Sequence, residues 1–131
     1  MNTRGIVTRR SAAAVGAIAL VVGLAGCDVH LTRAHSTADI SRTCRGEADH
    51  FGASLTRTQV IVTVDPDETE SYDVTISIND GALETTKDDL EPGSGISLGD
   101  NEVNTTEIDI TVAPSDGTGT TDTYHQIFNP C

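Results

Sequence analysis

With 131 residues, 20 acidic against 8 basic side chains and a net charge of −12, the chain has length for one domain and the wrong sign for phosphate backbones. Nucleic-acid binding is therefore disfavoured. Two tyrosines, two phenylalanines and no tryptophan leave only a small aliphatic core to be built.

The first element is a leader. Arg4, Arg9 and Arg10 precede an uncharged run of Ser, Ala, Val, Gly, Ile and Leu that ends at Cys27, a basic region followed by an apolar one. As a helix, the 16 residues from Ser11 to Gly26 reach roughly 24 Å, short of the hydrocarbon core of about 30 Å. A permanent transmembrane helix is the poorer reading.

The run closes on Leu24-Ala25-Gly26-Cys27, which resembles the lipobox of prokaryotic lipoproteins at all four positions. The resemblance implies that the Cys27 thiol is alkylated with diacylglycerol and that signal peptidase II cuts between Gly26 and Cys27. The new amino group is then open to acylation, as with palmitate. One acyl chain holds a protein marginally at a bilayer, whereas two or three hold it stably. Thr8–Ala13 is also similar to a twin-arginine leader, although Ala12 and Ala13 replace the usual bulky apolar residues, so the export route stays open.

Loss of residues 1–26 removes three basic residues and no acidic one, which leaves fifteen net negative charges. From residue 58 onward, Lys87 stands alone against sixteen acids. With Cys27 taken by lipid, Cys44 and Cys131 remain, and an exported chain meets an oxidising compartment. One disulfide across 87 positions is expected, contributing roughly 4–5 kcal/mol in the chain-entropy picture. A metal-binding or reactive thiol pair finds no CxxC spacing or adjacent histidine to support it.

Residues 27–37 show no sustained periodicity and read as a lipidated tether, with an acidic domain over residues 38–131. "ADISRTC" reads as a first strand carrying Cys44, and "EADHFGASL" as a short helical turn. Then alternation becomes clear. Val60, Val62 and Val64, then Tyr72, Val74, Ile76 and Ile78, and later Ile108, Ile110 and Val112 recur at period two. Such strands have one buried and one wet face. Asn79-Asp80-Gly81 predicts a hairpin onto "ALETT", Glu91–Gly95 separates a short strand at Ile96–Leu98, and a last strand is expected near Tyr124–Phe128. Six or seven such strands make an all-β fold, a small antiparallel β-sandwich, with an immunoglobulin-like arrangement as one form of it.

Chemistry-bearing motifs are sparse. "DPDETE" brings Asp65, Asp67, Glu68 and Glu70 together as hard oxygen donors that suit Ca²⁺, but Glu70 and Ile76 stand where an EF-hand needs Gly and Glu. His30, His35, His50 and His125 are scattered, and a transition-metal site needs them to converge. "GASLT" and "EPGSG" each miss a glycine of the nucleophile elbow. The expected protein is a lipid-anchored lipoprotein on the extracytoplasmic face of the cell membrane. It has no catalytic residues and no cofactor beyond the lipid on Cys27, and it serves as a binding or interaction module for a partner of the envelope or its surroundings. The alternatives are a Ca²⁺-binding domain built on Asp65–Glu70 and a small envelope enzyme.

Overall fold

Alternation in the sequence becomes pleat in the structure, a computed structural model that describes residues 26–44 and 56–130. Eight strands follow in order: β1 (Gly26–Thr32), β2 (Ser36–Cys44), β3 (Thr56–Val64), β4 (Tyr72–Ile78), β5 (Leu83–Leu90), β6 (Gly95–Asp100), β7 (Glu107–Pro114) and β8 (Asp122–Ile127). The described residues contain no helix, and every strand pairing is antiparallel. One sheet has the order β1-β2-β3-β6 and the other β5-β4-β7-β8, so the chain is the small β-sandwich expected of it.

The chain crosses between sheets after β3, β5 and β6, which interlocks the β3–β6 pair with the β4–β7 pair. With β8 beside β7 and β5 beside β4, this is an immunoglobulin-like strand order with β1 added outside β2. Val60, Val62 and Val64 from one sheet meet Val74, Ile76, Ile78, Ile108, Ile110 and Val112 from the other, and none of these is more than 1% exposed. β-branched side chains suit this role because they fill a pleated surface with little rotamer freedom to lose.

Two readings of the sequence are revised. Residues 27–37, expected as a tether, form most of β1, a turn and the start of β2, and β1 pairs with β2 along its whole length. An edge strand shields only half its pattern, here Val29 and Leu31, so two apolar positions sufficed where a central strand uses three or four. Among the described residues "ADISRTC" is accordingly in the second of eight strands. Residues 47–55, read as a helical turn, lie outside the described residues.

The Asn79 hairpin forms as expected: Asn79, Asp80 and Gly81 have φ of 53°, 57° and 96°, the left-handed backbone that Asn, Asp and Gly tolerate. Asn79 also brackets the β6–β7 crossing, since its Oδ1 accepts the Thr106 N–H at 2.9 Å and its Nδ2 donates to the Asn104 carbonyl at 3.0 Å. The crossing is held from beneath by buried polar groups. Thr56 Oγ1 donates to the Val103 carbonyl at 2.9 Å, Thr58 Oγ1 donates to Thr105 Oγ1 at 2.9 Å, and Arg42 Nε donates to the Thr105 carbonyl at 2.8 Å. Buried Arg42 is tolerated because its donors find carbonyls and its plane lies 5.0 Å from the Phe128 ring centre.

Neighbouring positions on β7 test this assignment of faces. Ile110→Ala should lower the unfolding free energy in urea by roughly 2–5 kcal/mol, the usual range for opening a core cavity. Thr111→Ala, on the exposed face, should change it by no more than about 0.5 kcal/mol.

Candidate functional site

At one end of the sandwich, the β1–β2 turn, the β3–β4 loop and the β7–β8 loop meet around His35. Its Nδ1 lies 3.0 Å from Glu68 Oε2 and 3.1 Å from the Tyr72 hydroxyl, its Nε2 lies 2.8 Å from Thr120 Oγ1, and its backbone N–H donates to Asp122 Oδ2 at 2.9 Å. Asp122 is only 5% exposed, and its Oδ2 also accepts the Ser36 hydroxyl at 2.6 Å. The same Ser36 oxygen lies 2.8 Å from the Tyr124 hydroxyl, whose pKa desolvation pushes up to about 12. Arg33 covers the Tyr124 ring, 4.8 Å from its centre. This network closes one end of the core.

Of the four carboxylates in the Asp65–Glu70 loop, the alternative Ca²⁺ site, one, Glu68, takes part in that closure. Asp65 Oδ1 accepts the Asp67 N–H at 3.0 Å, a local turn, while Glu68 takes the Tyr72 hydroxyl on one oxygen and faces His35 with the other. Asp67 and Glu70 stand exposed. The four carboxylates share no converging ligand group; the group found among the described residues lies elsewhere.

That group is Glu107, Asp109 and His125 on the outer face of the β4–β5–β7–β8 sheet. Glu107 and Asp109 are two residues apart on β7 and so share a face, and the register sets His125 of β8 directly opposite Asp109. His125 Nδ1 is hydrogen-bonded to Asp109 Oδ1, and its Nε2 lies 3.6 Å from Glu107 Oε2. The bond to Asp109 raises the imidazole pKa, assisted by the charges of Asp109 and Glu107. One donor from each residue lies within 4.8 Å of the other two. A mixed set of one imidazole and two carboxylates on rigid strands can hold a proton or a small divalent cation.

Sequence reasoning missed this group. Alternation in "EIDITV" put Glu107 and Asp109 on the wet face, yet only the β7–β8 register reveals that His125 is their neighbour. All three described histidines meet a carboxylate: His30 pairs with Asp39, His35 with Glu68 and His125 with Asp109.

Cys27 lies near the start of β1, opposite Arg42 of β2, and its thiol is exposed and free. Partial desolvation raises its pKa against the lowering effect of Arg42, so the thiol stays protonated at neutral pH. Cys44 is disulfide-bonded, and the partner expected for it, Cys131, lies outside the described residues, as does the leader before Gly26. The outer face of the β1–β2–β3 region carries a shallow depression of about 240 Å³ where His30, Asp39, Gln59 and exposed Ile61 gather. Compared with protein families, with curated proteins and with solved structures, the chain matches none.

The His35 network makes stability depend on pH in a defined direction. The hydrogen bond to Glu68 raises the His35 pKa, so its stabilisation is complete below the ordinary imidazole value of about 6.5 and is lost as pH rises through the raised value. Glu68 is held low, first by the Tyr72 hydroxyl and then by His35, so its contribution is present above the ordinary carboxyl range and is lost as pH falls through the lowered value. Thermal midpoints measured from about pH 5 to 9 should therefore decline on the alkaline side of the imidazole range. His35→Gln should remove part of that decline and His35→Gln with His125→Gln most of it. An unchanged profile in the double variant would refute the assignment.

Proposed function

We propose that the chain is a lipid-anchored lipoprotein of a prokaryotic cell envelope, held by acyl chains on Cys27 at the extracytoplasmic face of the membrane, with a non-catalytic binding or interaction domain. The observation that carries this reading is the Leu24–Cys27 lipobox behind an arginine-bearing, uncharged leader. The state of the cysteines supports it. Cys27 is free and exposed, as a residue to be alkylated must be, while Cys44 is engaged in a disulfide.

The proposed anchor differs in one respect from a tethered domain. β1 pairs with β2 from Gly26 onward, so cleavage before Cys27 would leave the lipidated residue inside the sheet and the sandwich seated directly on the bilayer surface. Thr43 and Arg42 of β2 then face the headgroups' side of the domain, and the His35 end points away. Fifteen net negative charges repel anionic lipid, so covalent lipid rather than surface charge has to supply the attachment.

The disulfide of Cys44 with Cys131 belongs to the same proposal. Phe128 N–H donates to the Thr106 carbonyl at 2.8 Å and Arg42 Nη2 donates to the Asn129 carbonyl at 2.8 Å, which brings the C-terminal segment beside the end of β2 that carries Cys44. Cys27 being free, Cys131 is the remaining cysteine of three.

Intact-mass analysis of the membrane fraction should find a chain that begins at Cys27 and carries two or three acyl chains, and Cys27→Ala should abolish both the modification and membrane retention. An unacylated wild-type chain that keeps residues 1–26 would overturn the reading. Peptide mapping without reductant should recover Cys44 linked to Cys131, and Cys44→Ser should lower stability by roughly 2–5 kcal/mol. Recovery of both residues as free thiols from exported protein would contradict the pairing.

A further inference from the structure

We propose that Glu107, Asp109 and His125 form a surface site for a borderline divalent cation of the Zn²⁺ class. The placement is a consequence of the ladder. Two-residue spacing on β7 sets two carboxylates on one face, and the β7–β8 register brings an imidazole between them, with a carboxylate oxygen near each ring nitrogen. Backbone hydrogen bonds of two paired strands hold all three Cα positions, so binding orders side chains only and leaves the fold as it is.

The donor set selects the cation. Ca²⁺ takes six to eight oxygens, whereas this group offers one nitrogen and two carboxylates and leaves the remaining positions to water. Imidazole with carboxylate suits Zn²⁺ and its first-row neighbours, and three protein ligands with an open position is a known zinc arrangement. The side chains are between about one-third and just over one-half exposed, enough to rotate inward and to be reached from solvent. The charged groups facing His125 are Asp109 and Glu107 of β7, and its own strand adds none, since its other outward residues are Thr123 and Ile127. A cation binds the ring through a deprotonated nitrogen, and a proton displaced from it leaves to solvent. A chain this acidic adds a long-range attraction for any dication.

His30 and Asp39 provide an internal comparison. They form the same cross-strand histidine–aspartate pair on the opposite outer face, yet no third donor converges on them among the described residues. If one imidazole and one carboxylate were sufficient, both faces would bind alike. The third donor, Glu107, is what distinguishes the β7–β8 face.

The test uses the whole protein extracted in detergent, stripped with chelator and titrated with ZnCl₂ by calorimetry, with imidazole NMR signals followed in parallel. One equivalent should bind with micromolar affinity and shift the His125 ring signals, while CaCl₂ at matched ionic strength does neither. Asp109→Asn and His125→Gln should each weaken binding at least about tenfold, and Glu107→Gln by a similar factor. His30→Gln and Asp67→Asn should leave the titration unchanged. The proposal fails if Zn²⁺ binds no tighter than millimolar, if the signals that move belong to His30 or His35, or if His125→Gln leaves the affinity intact. Exposed substitutions on a fixed ladder are not expected to unfold the chain, and a far-UV spectrum identical to wild type checks that.

Discussion

Burial of every second side chain on β3, β4 and β7 is the constraint on which the rest of the molecule depends. Most of those positions are Val or Ile, and they supply most of the largest fully buried side chains. In a chain with so few aromatic residues, this thin aliphatic layer has to be continuous, and the crossings after β3, β5 and β6 make it so by interlocking the two central strand pairs. A shift of one residue in any of these strands would turn its buried, mostly apolar face to water and its outward face inward.

The two ends of the layer are closed by polar groups that are nearly all satisfied within the protein. Arg42, Thr56, Thr58 and Thr105 hold the β6–β7 crossing at one end, while Asp122, Ser36, Tyr124, His35 and Glu68 join three loops at the other. Buried polar atoms with partners fix a unique arrangement, because each would be left unsatisfied in any alternative packing. In the acidic Asp65–Glu70 loop two of the four carboxylates have structural roles, Glu68 holding His35 and Asp65 turning its own loop, and on β4 Asp73 caps the bulge where Asp89 adopts a φ of 57°.

Function, on the proposal made above, is divided between an edge and a face. The edge strand β1 carries Cys27 and with it the proposed anchor. The outer faces carry polar and acidic residues with cross-strand histidine–carboxylate pairs, and among the described residues only the β7–β8 pair has a second carboxylate within reach. On that proposal an anchor built into the sheet itself would restrict how the domain can turn at the membrane, and strand order rather than a flexible linker would set which face meets the surroundings.

The sequence by itself determined what depends on local pattern: the period-two strands β3, β4 and β7, the left-handed turn at Asn79–Gly81, and hence an all-β sandwich. These were legible because hydrophobic alternation and turn chemistry act over a few residues. Tertiary structure alone decided the features that depend on pairing between distant segments. β1 is a strand only because β2 lies beside it, Glu68 is engaged only because His35 arrives from 33 residues away, and His125 meets Glu107 and Asp109 only through the β7–β8 register. No local signal encodes a register; it is selected by the cooperative packing of the whole core, and the side chains on the wet face follow wherever the buried ones are placed.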